Sequence, residues 1–406
     1  MRVIIAGAGI GGLTAALALH EQGADVTVHE AVRELAPLGV GINVLPHAMG
    51  VLAGLDAMGP IREIGVETAE LCFFNRHGQL IWREPRGLAA GYDVPQISVH
   101  RGRLQMTLLE LVRERLGADA VRTGRRVVET RDISGGVEVE IETADGPVVE
   151  RGDVAVAADG IHSAIRARRH PDEGLPHWSG NLLWRGTTWA DPYLTGRSMF
   201  MAGHRPHKFV AYPISRPRED GRVLVNWIAE LDWTDVGLSD REDWNRTGEL
   251  ADFLPRFEDW TFDWLDVPDL IRRNEGVYEF PMVDREPLDR WSVGRTTLLG
   301  DAAHPMYPIG SNGASQAILD ARALADALTQ HGDVDDALRA YEADRLPPTA
   351  AIVRANRRHG PEVVLDLAHE RAPDGFTDVG DVFAAGELEE IAGRYKAVAG
   401  FQVRKR

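Results

Sequence analysis

Three short stretches carry residue types that suit chemistry on a dinucleotide. The first is Gly7-Ala-Gly9-Ile-Gly-Gly12, which has the spacing G-x-G-x-x-G. In such a turn Gly7 permits the tight bend, Gly9 lets a pyrophosphate reach the backbone, and Gly12 lets helix and strand pack closely. The helix that follows offers free N–H groups and a partial positive charge to the phosphates. Glu30, at the end of the next strand-like run, can accept from ribose hydroxyls, and its charge would repel the extra phosphate of NADP. The motif suits NAD and FAD alike. The second stretch is Asp159-Gly160-Ile-His-Ser163-Ala-Ile-Arg166; its plain reading is a strand–turn–helix with Asp159 as a cap and Arg166 paired locally. The third is Gly300-Asp301-Ala-Ala-His304-Pro305, followed by Gly310-Ser-Asn312-Gly313. An acid at that strand end can hold ribityl hydroxyls, and a second helix terminus can face a flavin ring. His304 reads as shaping the loop, not as a base. No nucleophilic triad and no metal-ligand spacing is visible.

The elements that must position these residues follow from hydrophobic pattern. Val3-Ile4-Ile5-Ala6 reads as a buried strand, Leu13 to Gln22 as a helix ended by Gly23, and Val26–Val28 as a second strand. Val3 to His20 holds no Asp, Glu, Lys or Arg, but the glycines favour this β-α-β unit over a signal or membrane anchor. Pro46–Met58 looks helical, and Gly102–Leu116 reads as an amphipathic helix. Val137–Ile141 alternates like an exposed hairpin strand, Val154–Ala158 is a short apolar strand, and His162–Arg169 looks helical. Eight of ten tryptophans, Trp244 among them, lie between Trp178 and Trp264, beside the strand-like runs Phe209–Ile214 and Val223–Ile228. That region reads as a mostly antiparallel sheet with an aromatic wall. Thr296–Leu299 returns to the buried-strand pattern, a helix spans Gly313–Leu328, and helices fill the rest.

The fold expected is therefore α/β, with a discontinuous Rossmann-like domain (residues 1–67, 101–175 and 283–360). A β-rich substrate domain (68–100 and 176–282) is inserted, and a helical segment (361–406) follows. A chain of 406 residues exceeds one domain of ordinary size. Its formal charge of −17 disfavours nucleic acid and anionic membranes as partners. The single cysteine, Cys72, cannot close an internal disulfide, which suits a cytoplasmic protein. Only three lysines occur, Lys208, Lys396 and Lys405.

Taken in this order, the three motifs resemble those of the single-component FAD-dependent aromatic hydroxylases, the group A flavoprotein monooxygenases. Further stretches share the resemblance, and within the family they are closest to its phenazine-modifying branch. They are Pro37-Leu-Gly-Val-Gly-Ile-Asn43, Ile97-Ser-Val-His-Arg101-Gly-Arg-Leu-Gln-Met106, Trp184-Arg185-Gly186, Val210-Ala-Tyr212-Pro-Ile-Ser215, Pro281-Met-Val-Asp-Arg285 and Gly310 to Ile318. The resemblance implies a fold like that of hydroxybenzoate hydroxylase. Gly7, Gly9, Gly12 and Glu30 would hold the ADP half of FAD, with Gly41 in the cofactor set. Arg101 would lie over the phosphate and ribityl chain, and Val127 on the strand touching adenine. Asp159 would serve the flavin side together with nicotinamide use, Asp301 the ribityl chain, and Gly310, Asn312 and Gly313 the flavin N1–C2=O edge.

It also implies NADH or NADPH as a transient co-substrate, O2, and hydroxylation of a small aromatic through a flavin C4a-hydroperoxide. A phenazine-like or other aromatic carboxylate is the substrate expected; a salicylate- or hydroxybenzoate-type monocycle is the alternative. Monomer and homodimer both remain open. Tyr212 and Arg185 are the candidates for orienting substrate, against a core tyrosine and a strand-bridging arginine. Lys208 reads as an exposed lysine and His47 as a helix-start histidine. A flavin halogenase is excluded because no lysine precedes Lys208 and its tryptophan signature is missing. An NAD-dependent dehydrogenase would leave the second and third motifs idle, and a non-enzymatic redox sensor or partner protein is the rival from another class.

Overall fold

The glycine turn leaves the central strand of a parallel sheet. In the computed structural model, which describes residues 1–205, 207–237, 246–358 and 360–399, Arg2–Ala6 pairs in parallel with Asp25–His29 and with Val154–Ala157. Thr296–Leu298 adds to Val154–Ala157, and Val121–Arg122 closes the other edge of this five-stranded sheet. Such strands are buried on both faces, which is why they are short unbroken apolar runs. Val3, Ile5, Val28, Val154 and Leu298 are all fully buried. The helices Ile10–Glu21, Arg101–Leu116 and Gly313–Gln330 complete this core.

Sheet order explains why motifs so far apart in sequence can act together. Thr296–Leu298, Val154–Ala157 and Arg2–Ala6 are neighbours, and each of the three motifs follows the carboxyl end of one of them. In open α/β sheets that edge is where ligands bind. Gly12 is the packing point: a Cβ there would overlap the carbonyl oxygen of Gly7.

A seven-stranded mixed sheet forms the second layer, and only the pair Glu70–Phe74 with Ser198–His204 is parallel in it. Its two faces differ. On the back, Phe74, Trp184, Phe200, Phe209 and Trp227 pack with Phe253, Phe257, Trp260 and Trp264. Trp184 stacks on Phe253 with ring centroids 5.1 Å apart. The aromatic wall is therefore the hydrophobic core of this layer; Trp244 lies outside the described residues. On the front, Met199, Met201, Val210 and Tyr212 pack with Val364, Leu365 and Ala368 of the helix Val363–Arg371. The helix Glu387–Ala399 follows, and residues 400–406 of the helical segment lie outside the described residues.

Local expectations shift in three places. The first helix begins at Ile10, so two glycines sit inside it where close packing needs them. Pro46–Met58 is not one helix but two, Pro46–Gly54 and Met58–Ile64, parted where Asp56 takes a left-handed φ of 51°. The strand Gly136–Thr143 is not an exposed hairpin, because Val137, Val139 and Ile141 are buried in the main core.

Gly12→Ala separates packing from helix propensity. Alanine is favoured in a helix by about 1 kcal/mol over glycine, but the overlap with a backbone oxygen must be relieved by moving helix from strand. We expect a net loss of about 1–3 kcal/mol in urea unfolding. An unchanged or raised midpoint would show that the helix does not need to sit this close.

Candidate active site

The glycine turn is shaped for a ligand at one position and for the protein at two. Gly7 has a φ of 99°, and a Cβ there would overlap the Ala158 carbonyl. At Gly9, by contrast, a Cβ would meet no protein atom within 4 Å. Gly9 is also the N-cap of Ile10–Glu21 and supplies no side-chain cap, so the N–H groups of the first turn face that open space. Glu30 sits at the rim of the turn. Its carboxylate accepts from the N–H of Ala8 at 2.7 Å and from that of Val32 at 3.0 Å. Gln105, which sequence reasoning missed, donates from Nε2 to the Ala8 carbonyl at 2.8 Å and fixes the turn from the other side.

Asp301 follows the end of Thr296–Leu298, separated from the glycine-turn strand by Val154–Ala157. Solvent reaches its carboxylate, yet protein encloses it, and burial raises its pKa while His304 and Arg101 pull it down. Gly313 lies beside it, with a Cβ position 3.9 Å from Asp301 Oδ1. The connecting loop takes left-handed φ values at Gly310 (69°) and Ser311 (57°) and enters Gly313–Gln330 with no side-chain cap from Asn312. A second uncapped helix terminus thus stands beside a carboxylate at the same sheet edge. His304 is held away from chemistry, as its loop role requires. Its Nε2 lies 2.6 Å from Asp320, which also accepts from Arg345 Nε at 2.8 Å and from the Gly300 N–H at 3.1 Å.

Asp159 is half a cap and half free. One oxygen accepts from the Ala164 N–H at 2.9 Å; the other is buried without a hydrogen-bond partner. Burial raises its pKa against the opposing hydrogen bonds. Arg166 pairs locally with Glu173 and also donates to the carbonyls of Ala302 at 3.0 Å and Ala303 at 2.8 Å. It thereby ties the second motif to the third. Arg101 opens the helix Arg101–Leu116 with an exposed side chain that packs beside Gly39 and whose charge acts on both Asp301 and Arg185. Val127 is buried in the core, so its side chain is not available to a ligand.

The front face of the large sheet supplies the other wall. Tyr212 pairs in register with Asn226, and Arg185 with Ile228, so the two candidate side chains sit diagonally on one face. The two are brought near each other: the Arg185 charge acts on the Tyr212 hydroxyl, and the Arg185 guanidinium donates to the Gly41 carbonyl at 2.9 Å. Arg185 also stands 5.7 Å from the Phe280 ring centroid. Asn226, missed in the sequence, accepts from the Gly41 N–H at 2.7 Å, and its buried Nδ2 has no partner. A lone polar residue inside the apolar run Val223–Ile228 was the available signal. Burial raises the Tyr212 pKa against the pull of Arg185, so the phenol is neutral at ordinary pH.

Two sequence readings need correction or placement. Lys208 is not exposed; it is buried between Glu230, at 2.8 Å, and Glu362. Burial alone would depress its ammonium, but the two carboxylates outweigh it and raise the pKa. His47 is buried in the first turn of Pro46–Gly54, where burial and then Arg345 lower its pKa to about 4. Burial pushes the Cys72 thiol up to about 12, so it is not a nucleophile. Among the described residues no cluster could hold a metal ion, and no helix is long and apolar enough to cross a membrane.

Open space beside Gly9, a rim carboxylate at Glu30, a carboxylate at Asp301 and a second helix terminus without a side-chain cap all fit FAD. The site and fold are those of a flavoprotein hydroxylase. Residues 1–247 and 268–356 match the FAD binding domain family, and the chain belongs to it. It is 51% identical, over 87% of its length and 89% of the relative's, to the phenazine 1,6-dicarboxylic acid hydroxylase PhzS of Lysobacter antibioticus. It is 35% identical to the 3-amino-4-hydroxybenzoate 2-monooxygenase PtnB3 of Streptomyces platensis, covering 92% of this chain and 89% of that one. Among solved structures it resembles Klebsiella pneumoniae HpxO complexed with FAD and uric acid, with a TM-score of 0.76, 26% identity and coverage of 99% and 93%. The chain is an FAD-dependent aromatic monooxygenase.

Two variants test the cradle. Gly9→Ala places a methyl where only ligand can stand. FAD affinity should fall by about 1–3 kcal/mol, roughly 5- to 150-fold by flavin-fluorescence titration. The flavin-free fold should change by no more than about 1 kcal/mol. Equal FAD binding would mean that the pyrophosphate lies elsewhere. Asp301→Asn should weaken FAD by about 1.5–3 kcal/mol. Because burial raises the Asp301 pKa, its ionisation above the ordinary carboxylate range costs the folded state stability. The flavin-free variant should therefore unfold at a higher urea midpoint than the parent at pH 8, with the gap closing at acid pH. A lower midpoint at pH 8 would show that the charge is structurally satisfied.

Proposed function

We propose that this monooxygenase hydroxylates a fused-ring aromatic carboxylate of the phenazine type, with NADH or NADPH and O2 as co-substrates. The observation that carries the reading is the Arg185–Tyr212 pair on the front of the sheet, fastened to Gly41 at the flavin-side body. The identity to a phenazine dicarboxylate hydroxylase supports the substrate class. In this reading residues 1–67, 101–175 and 283–360 form the FAD-binding domain. Residues 68–100 and 176–282 form the substrate domain, and the segment from 361 onward covers it. The single buried cysteine supports a cytoplasmic setting.

FAD, when bound, would supply the redox chemistry that links the nicotinamide and O2 to hydroxylation of the ring. The chain's own residues do the rest. Gly7, Gly9 and Gly12 with the first helix terminus hold the pyrophosphate, and Glu30 holds the ribose. Asp301 binds the ribityl hydroxyls, with Arg101 near it and Asp159 on the flavin side. Backbone N–H groups at Gly310 to Gly313 favour negative charge on the ring edge beside them, by about 0.3–2 kcal/mol. Arg185 offers a delocalised charge and a planar fork that suits a carboxylate. Tyr212, kept neutral by its burial, donates a hydrogen bond to the substrate instead of removing a proton. Met199, Met201, Val210, Leu183 and Phe280 surround the pair with apolar surface and exclude water.

NAD(P)H consumption across a panel of aromatic acids, with product masses, tests the reading; a phenazine carboxylate should give a product 16 mass units heavier or its decarboxylated hydroxylation product. Turnover confined to monocyclic hydroxybenzoates would favour the chemistry named for the Streptomyces relative. Tyr212→Phe keeps the ring and removes one hydrogen bond. Hydroxylation should fall about two- to twelve-fold, matching 0.5–1.5 kcal/mol, with less product per NAD(P)H and unchanged FAD content. A lowered melting temperature with full product yield would assign Tyr212 to the core instead.

A further inference from the structure

Asn226 interrupts the apolar run Val223–Ile228, and it is fully buried. Strand register puts it on the front face between Thr187 and Tyr212, two residues along its strand from Ile228, the partner of Arg185. The reaction as described so far gives it no part. Its amide is nevertheless fixed. The Gly41 N–H can only donate, so the amide oxygen must face it, and Oδ1 accepts at 2.7 Å. Nδ2 is then left buried without a partner. Such a donor costs free energy, so an asparagine is a poor choice if packing alone is at stake.

The use of that oxygen shows on the other side of Gly41. In an extended strand the N–H and C=O of one residue point the same way. Gly41 begins the strand Gly41–Val44, and it turns both groups toward side chains from two adjacent strands of the large sheet. Asn226 takes the N–H, and the Arg185 guanidinium donates to the carbonyl at 2.9 Å. The glycine lies directly on the amide, since a Cβ there would stand 2.5 Å from that of Asn226. Gly41 therefore cannot shift its carbonyl without disturbing the bond to Asn226. Arg185 is the side chain with most to lose from such a shift. It is long, its Nε is buried without a partner, and burial and Arg101 both act against its charge. A fixed acceptor at Gly41 orients its planar fork before any ligand arrives.

We propose that Asn226 is a positioning residue of the hydroxylation: by holding Gly41 it fixes the carbonyl that orients the Arg185 guanidinium, and so sets how a substrate carboxylate is taken. This rests on the proposed role of Arg185 and adds the residue that acts through it. Asn226→Leu removes the amide at similar volume and leaves the Gly41 N–H unpaired. Arg185 then samples orientations in which its fork no longer meets the carboxylate.

The test is calorimetric binding of phenazine-1-carboxylate and of the uncharged phenazine-1-carboxamide to the FAD-loaded protein. The parent, Asn226→Leu, Arg185→Ala and the double variant are compared. Asn226→Leu should weaken the acid at least about fivefold and the amide less than about twofold, with less product per NAD(P)H and unchanged FAD content. In the Arg185→Ala background the same change should alter acid binding by less than about twofold, because the residue it acts through is gone. Should Asn226→Leu not fold or load FAD, Asn226→Val carries the same expectations. Equal losses for acid and amide, an unchanged acid affinity, or the full loss persisting without Arg185 overturns the positioning role and leaves the proposed function intact. A parent that binds acid and amide alike, with Arg185→Ala neutral, overturns the role of Arg185 and this inference with it.

Discussion

The backbone of Gly41 is where the two layers of this enzyme are locked in register. Its N–H donates to Asn226 and its carbonyl accepts from Arg185, so one residue of the flavin-side body is held by two adjacent strands of the sheet. No side chain can stand there, because a Cβ would lie 2.5 Å from that of Asn226. The strand Gly41–Val44 belongs to a small sheet with Gln96–His100, and Arg101 begins the helix after that strand. The joint therefore sets how far Tyr212 and Arg185 stand from Arg101 and Asp301. Buried polar joints of this kind are worth little as net stabilisation but are costly to leave half made, which favours a single docking geometry.

Charge placement follows the same logic. The flavin side presents two uncapped helix termini and Arg101, which suit a ligand with phosphates and an electron-rich ring edge. Its carboxylates are Glu30, at the rim of the glycine turn, and Asp301, beside Gly313. On the sheet side Arg185 is the charge that acts on Tyr212, while Lys208 is paired with two glutamates.

Much of this was legible in the sequence where the signal is local. The glycine turn, its strand and most of its helix are written in eighteen consecutive residues lacking Asp, Glu, Lys and Arg, and the amphipathic helix before Gly117 in its repeat. What the sequence could not display was partnership across long separations. Lys208 reads as a surface lysine until Glu362, 154 positions away, is brought beside it. Asn226 reads as a lapse in an apolar strand until Gly41 arrives from 185 positions away to meet it. The tryptophan-rich segment suggested an aromatic wall, but the front face carrying Tyr212 and Arg185 is lined mainly by aliphatic and methionine side chains, and most of the rings pack behind the sheet. Period-two alternation identifies two faces without saying which one a ligand will see.

The most direct test is a crystal structure of the FAD-loaded protein with phenazine-1-carboxylate. The account predicts the pyrophosphate over Gly9, a ribose hydroxyl at Glu30, and the substrate carboxylate within about 3 Å of the Arg185 guanidinium and the Tyr212 hydroxyl. A tricyclic acid seated elsewhere, with Arg185 still bonded to Gly41 and neither Arg185 nor Tyr212 touching the ligand, would contradict it.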